Sequence, residues 1–438
     1  MDREEKYIKN LQTLIRKETI SSLNDIDLTK FREFHEILKE TFPNLFKVVD
    51  VKDFDGSLLL TWEGKDKTKN PIMFMNHHDV VEATGKWISD PFEANIIDGK
   101  MYGRGTLDTK GGLFAMLEAA DELIENGYVP NRTIYFESAC TEETTGHGAD
   151  IISNWMLENN IKLDMVFDEG GMVMYDPIGG AKGTFAMVGM GEKGCADLKF
   201  IARSNGGHAS TPVKNTPLVR LGKFMEEVDK KNIFKTEMSD TIKEMFGRIL
   251  PYMVPLKLGR RFVNFASPLL KKILPSFSAT ANALLKTTIA FTMAGGSNGT
   301  NVLPEEAYVI GNMRFSHHEG GEHSIEAVRN IAKKYDIELE ILDPGFESRI
   351  CDYKSSAFKL VEEACFATLK EIDKVVPYIM NGASDSRYFD RVCDSCIRFL
   401  PFKIDEQQLE SIHGLNENID ISNLVPAVEY YTYLMTNC

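Results

Sequence analysis

Five places along this 438-residue chain set His, Asp or Glu at strand ends or in tight loops. His77 and Asp79 stand two apart at the end of an apolar run, so an extended backbone points both side chains the same way. Asp108 sits in YGRGTLDTKGG, where glycines permit a sharp turn before a helix. Glu142 and Glu143 are adjacent in the loop after TIYFESAC, Asp168 and Glu169 close another strand, and His413 stands in IHGLNENI. Two imidazoles plus three carboxylates could hold two zinc ions with one carboxylate shared. Each residue alone has an ordinary explanation: a strand-end carboxylate often caps the next helix, and a buried histidine often meets a carbonyl. The Glu142–Glu143 pair resists it, because adjacent like charges repel unless something positive lies near. His78 points away from His77 and Asp79 and reads as structural. His35, His147, His317, His318 and His323 read as surface or core histidines.

These residues need elements that bring them to one edge, and parallel strands do so at their carboxyl ends. LLLTWEG, PIMFMNHHDVV, TIYFESA and DMVFDEGG read as strands, the second apolar enough for cover on both faces. Residues 4–18 and 29–41 carry apolar side chains at helical spacing. GGLFAMLEAADELIENG is a helix closed by Gly127, a further helix falls at about 147–159, and FAMVGM supplies short strands. The first 190 residues therefore alternate strand and helix. After about Gly191 the pattern becomes β-α-β-β-α-β: ADLKFIARS, a helix from about Pro212 to Lys231, then AYVIGNMRFS, a helix near 321–335 and IELEILD. An insertion at about 233–285 interrupts it, with Pro251, Pro255, Pro268 and Pro275 among apolar stretches and the bases Lys257, Arg260, Arg261, Lys271 and Lys272. Such a basic amphipathic stretch can touch a membrane; the expectation is that it packs on a neighbouring domain or subunit. The organisation expected is an α/β catalytic domain, residues 1–190 and 346–438, split by an inserted domain at 191–345.

Composition narrows the function classes. Hydrophobic residues at 43% and charged residues at 26% fit a globular chain and exclude a fibrous or disordered one. A net charge of −15 repels phosphate backbones and anionic lipid, which argues against nucleic acid or a membrane surface as partner. MDREEKYIKN has no apolar core of signal-peptide length and no apolar run is long enough to span a bilayer, so the expected location is cytoplasmic. Seven cysteines are too few, and odd in number, for a disulfide scaffold. Cys393 and Cys396 form a lone CxxC and read as buried thiols.

As an ordered set from residue 77 to 417, NHHDVV, YGRGTLDTKGG, CTEETTGHGA, FDEGG, GGHASTP and IHGLNE resemble the motifs of the M20 family of dinuclear zinc peptidases and aminoacylases. The insertion, FDEGG and GASDSRYF are similar to its carboxypeptidase S and N-acyl amino acid hydrolase branch. The resemblance implies a zinc-peptidase-like α/β/α catalytic domain with an inserted ferredoxin-like α+β lid, through which dimeric members pair. It implies two Zn2+ per chain, replaceable by Co2+ or Mn2+. His77 and His413 would be the terminal ligands of the two ions and Asp108 the bridge. Glu143 would join the His413 side and Glu169 the His77 side, with Asp168 the alternative. Asp79 would accept a hydrogen bond from His77, and Glu142 would be the general base. His208 would donate to the developing oxyanion, from the partner subunit in dimeric members. Asn301 and Arg314, with Arg387 a further candidate, would hold a substrate carboxylate.

Two positions depart from the family pattern. Glu82 follows the valines where a proline is common, which bears on specificity rather than ligation. The basic insertion could replace a dimer contact, so a homodimer through the lid stays open. The reaction implied is hydrolysis of the amide beside a free carboxylate in dipeptides or N-acyl amino acids. Its alternatives are a biosynthetic deacylase for acetylornithine or succinyl-diaminopimelate, and a non-catalytic metal-binding protein on the same fold.

Overall fold

The strand Ile72–Met75 is buried at every position because it feeds two cores. Ile72 and Phe74 enter one, with Phe114 and Tyr431 of two flanking helices; Met73 and Met75 enter the other, with Ile152 and Met156. Successive strand residues face opposite sides, so two cores on one sheet mean α/β/α layering. Ile134–Ser138, Ile72–Met75, Met165–Asp168 and Cys396–Arg398 run parallel in that order. Ser57–Trp62 and Asp50–Phe54 extend the sheet antiparallel at one side, and Thr184–Glu192 lies antiparallel at the other. Thr184–Glu192 is one unbroken strand rather than several short ones, since all nine residues are buried.

This computed structural model describes residues 2–23, 27–177, 181–253, 259–276 and 279–438, so Pro255 and Lys257 lie outside the described residues. The chain divides into two compact units: Met1–Gly191, Glu244–Gly259 and Arg349–Cys438, and Glu192–Lys243 with Arg260–Ser348. The sheet above belongs to the first. The second holds a four-stranded antiparallel sheet in the order Thr288–Gly295, Glu306–Phe315, Gly194–Arg203, Glu338–Phe346. In Glu306–Phe315 burial alternates strictly, because only one sheet face is covered. Leu198, Phe200, Val309 and Met313 there share a core with Leu221 and Phe224 of the helix Pro217–Lys230 and Val328 and Ile331 of the helix Gly320–Lys334.

Two features differ from expectation. The first helix of this unit starts at Pro217 instead of about Pro212, since Asn215 adopts a left-handed backbone (φ 57°) that ends the preceding loop. The insertion does not belong wholly to the inserted unit. From Glu244 on, the helix Asp240–Met253 counts with the first, where Arg248 meets Glu362 at 2.5 Å and the Val375 carbonyl at 2.9 Å. Among the described residues no helix is long and apolar enough to cross a membrane.

Candidate active site

Asp108 lies between two histidines, with one oxygen for each. Its Oδ1 is 3.0 Å from His77 Nε2 and its Oδ2 is 3.0 Å from His413 Nε2. Glu143 Oε2 is 2.9 Å from the same His413 nitrogen, and Glu142 Oε2 is 4.0 Å from His77 Nε2. The ligating atoms of His77, Asp108 and Glu143 all fall within 4.8 Å of one another. Two strand ends and two loops of the first unit thus deliver His77, Asp108, Glu142, Glu143 and His413 to one place, as the carboxyl edge of a parallel sheet allows.

Backbone contacts hold these side chains. His77 Nδ1 donates to the Asp79 carbonyl at 2.9 Å, which turns Nε2 toward Asp108. The expectation for Asp79 is therefore half right. Its carboxylate stands 3.4 Å from His77 Nδ1, farther than the carbonyl, because three other donors occupy it: Glu142 N, Glu143 N and Ser21 Oγ at 3.2, 3.1 and 2.6 Å. Asp79 thereby orients the histidine and pins the loop of the two glutamates. Asn76, fully buried, accepts from Thr109 Oγ1 at 3.1 Å and so ties the His77 strand to the Asp108 turn. The next helix, Lys110–Glu125, needs glycine in its first turn: a Cβ on Gly112 would lie 2.1 Å from Asn76 Oδ1.

One pair escaped the sequence reading. Glu417 is fully buried and accepts from Leu107 N, Asp108 N, Gly105 N and Arg104 Nη1 at 2.8 to 3.1 Å. Arg104 also donates to the Gly414 carbonyl at 2.8 Å. The two therefore clamp the Asp108 turn to the His413 loop. The signal available was a glutamate four residues after His413 and an arginine four before Asp108, but their partners are mostly main-chain groups that no residue type announces.

Charge in the site is concentrated and negative. Burial holds Glu142 well above the usual carboxylate range; His77 opposes this, while Asp385, Glu169 and Glu143 add to it. Burial also raises Glu143 and Asp168, and pushes Asp385 up to about 7. Burial disfavours a charged His77, yet Asp108 and Asp79 outweigh it and keep its pKa well above the ordinary value. Asp108 and Glu143 raise His413 to about 10. Glu143 Oε1 is buried and accepts no hydrogen bond among the described residues. An orphaned acceptor among converging carboxylates and imidazoles is the environment that a divalent cation satisfies, and this donor set is the one zinc takes. The residues present fit a divalent metal.

The remaining expected residues fall elsewhere. Asp168 is buried, and its two oxygens accept from Glu169 N and Ser386 N at 2.8 Å each. Glu169 is half-buried and close enough to Glu142 to raise it, outside the 4.8 Å group. Arg387 donates to the Ser384 carbonyl and stacks on Tyr388. Glu82 is exposed, and its carbonyl accepts from Arg104. His78 is fully buried among Phe31, Phe34 and His35, its Nδ1 2.9 Å from Ser138 Oγ. Cys393 and Cys396 are buried free thiols.

His208, Asn301 and Arg314 belong to the second unit. His208 is exposed and its Nδ1 accepts from Ser210 N at 3.1 Å, which puts its proton on Nε2. Ala209 N donates to the Asn301 carbonyl, so His208 and Asn301 are neighbours. Arg314 is half-buried, donates to Asn312 Oδ1 and has no ion pair among the described residues.

The family model described as Peptidase family M20/M25/M40 matches residues 73–437. A probable carboxypeptidase S-like 2 of Dictyostelium discoideum is 29% identical over 93% of this chain and 79% of its own length. The N-fatty-acyl-amino acid synthase/hydrolase PM20D1 of Homo sapiens is 28% identical over 93% and 83%. The M20 family metallo-carboxypeptidase Sso-CP2 from Sulfolobus solfataricus shares the fold, with a TM-score of 0.71 at 19% identity over 99% of both chains.

Proposed function

The chain belongs to peptidase family M20/M25/M40, and from that premise we propose that it is a two-metal hydrolase cutting the amide bond beside a free carboxylate. Its substrate class would be dipeptides and N-acyl amino acids. The observation that carries the reading is Asp108, which offers one oxygen to each of two histidines at 3.0 Å, with Glu142 and Glu143 alongside. The substrate class is supported by relatives named for carboxypeptidase S and for N-fatty-acyl-amino acid hydrolysis, and by Arg314, which makes no ion pair among the described residues.

His77, Asp108 and Glu169 would hold one ion, with Asp168 the alternative to Glu169, and His413, Asp108 and Glu143 the other. Bound divalent ions would lower the pKa of a water and polarise the amide carbonyl. Glu142, within 4.0 Å of His77 Nε2 and able to hold a proton, takes the proton of the attacking water and passes it to the departing nitrogen. Asp79 keeps Glu142 in place through its main-chain nitrogen. His208 carries its proton on Nε2, the form that donates to an oxyanion, and Arg314 suits bidentate grip on a carboxylate.

The test is hydrolysis of a mixed panel by zinc-loaded protein, with Glu142→Ala as the blank. N-acetyl and N-fatty-acyl amino acids, Gly-Xaa dipeptides, acetylornithine and succinyl-diaminopimelate would make up the panel. Turnover of the dipeptides or N-acyl amino acids, and loss of rate when their carboxylate is amidated, is expected. Activity confined to acetylornithine or succinyl-diaminopimelate would overturn the substrate class.

A further inference from the structure

The helix Arg260–Ile273 turns an apolar stripe to solvent. Phe262, Phe265, Leu269 and Ile273 are 38, 85, 61 and 38% exposed, and their spacing of three and four residues puts them on one face. Val263 is the residue of this helix that reaches the core. Pro268 cannot donate to the Asn264 carbonyl, and the Ser267 hydroxyl does so instead at 3.1 Å. The Asn264 carbonyl thus keeps a donor, and the helix presents two phenylalanines and two aliphatic side chains to water.

Charge singles out the same place. Residues 245–304 contain no Asp or Glu and seven Lys or Arg, in a chain of net charge −15. The acidity that argues against an anionic surface for the whole chain is absent from this stretch. Arg260 pairs with Asp240 and Lys271 with Glu237, whereas Arg261 and Lys272 make no ion pair among the described residues. Beside the helix lies a cleft of about 830 Å³ lined by six lysines, Lys271 and Lys272 among them, against the carboxylates of Asp229 and Glu319.

An exposed apolar stripe with a basic border is the chemistry of a helix lying in the plane of a bilayer: the apolar side chains enter the headgroup boundary and the bases reach lipid phosphates. At 14 residues the helix is far too short to span. A second copy of the chain would set Arg261 and Lys272 against their own kind, so charge favours lipid over self-association. We propose that the second unit docks peripherally on anionic phospholipid through the helix Arg260–Ile273. The docking is independent of which amide the active site cleaves.

Co-sedimentation of the full chain with vesicles tests it. The protein is expected to sediment with vesicles of equal parts phosphatidylcholine and phosphatidylserine, less so as salt rises, and weakly with phosphatidylcholine alone. Phe265→Ser combined with Leu269→Ser should cut the partitioning at least about tenfold, the scale of burying one such side chain. Arg261→Glu combined with Lys272→Glu should abolish the preference for phosphatidylserine. All four residues are exposed, so circular dichroism and hydrolysis of a water-soluble substrate should match the parent. Three results would overturn the proposal: no sedimentation of the parent chain, variants that bind as it does, or a dimer that the serine pair dissociates without any vesicle binding.

Discussion

Replacing Glu417 by glutamine changes one atom in a place where four donors meet two oxygens. Leu107 N and Asp108 N share Oε1, while Gly105 N and Arg104 Nη1 share Oε2. Whichever way the amide turns, its NH2 confronts two donors. If it faces Arg104, the guanidinium loses its carboxylate; breaking a buried ion pair on one side costs about 3–5 kcal/mol. If it faces Leu107 and Asp108, two buried N–H groups go unmet at about 1–3 kcal/mol each. The two orientations predict losses of about 3–5 and about 2–6 kcal/mol in the first unit. Because Asp108 N is one of the donors, the bridging carboxylate should shift as well, weakening metal affinity by roughly 10–100-fold, as loss of such supporting contacts does. Urea unfolding of the chelated protein gives the first quantity, and competition with a fluorescent chelator gives the second. Glu410→Gln, at an exposed position, is the control. A loss below about 1 kcal/mol, with metal affinity unchanged, would refute the clamp, since even one unmet buried donor exceeds it.

Other expectations follow from the same geometry. Glu142→Gln should lower kcat by at least about 100-fold with both metals retained, the scale of lost general-base help, measured by steady-state kinetics beside metal analysis. Gly112→Ala puts a methyl 2.1 Å from Asn76 Oδ1 and 2.6 Å from Leu400, and should destabilise by about 1–3 kcal/mol in thermal unfolding. Without metal, His413 holds its proton up to about pH 10 and must lose it to bind a cation. Metal affinity should therefore fall as pH is lowered below about 10, by about tenfold per unit for each proton displaced. A flat profile in chelator competition across neutral pH would contradict the assigned ligand.

The convergence of His77, Asp108, Glu142 and Glu143 was legible because parallel strands announce themselves. An apolar run such as PIMFM ends abruptly in polar residues, and the polar tip must lie at the sheet edge. Glycines around Asp108 and Gly112 likewise betray close approach. Glu417 and Arg104 stayed hidden because their work is to receive and give hydrogen bonds at main-chain atoms, which carry no sequence signature. The split of the insertion was equally invisible: Glu244–Met253 joins the first unit through Arg248, whose partner Glu362 lies 114 residues away. Periodicity marks Asp240–Met253 as an amphipathic helix, but not which core its face enters. His77 and Asp79 show the middle case, where spacing gave the shared side correctly but the carbonyl proved the nearer acceptor.

The most direct trial of the whole account is anomalous diffraction at the zinc edge from crystals of zinc-loaded protein. Two peaks are predicted on either side of Asp108, one touching His77 with Glu169 or Asp168 and the other His413 and Glu143. A single peak, or an ion held by Asp385 in place of these residues, would contradict the two-metal reading on which the proposed hydrolysis rests.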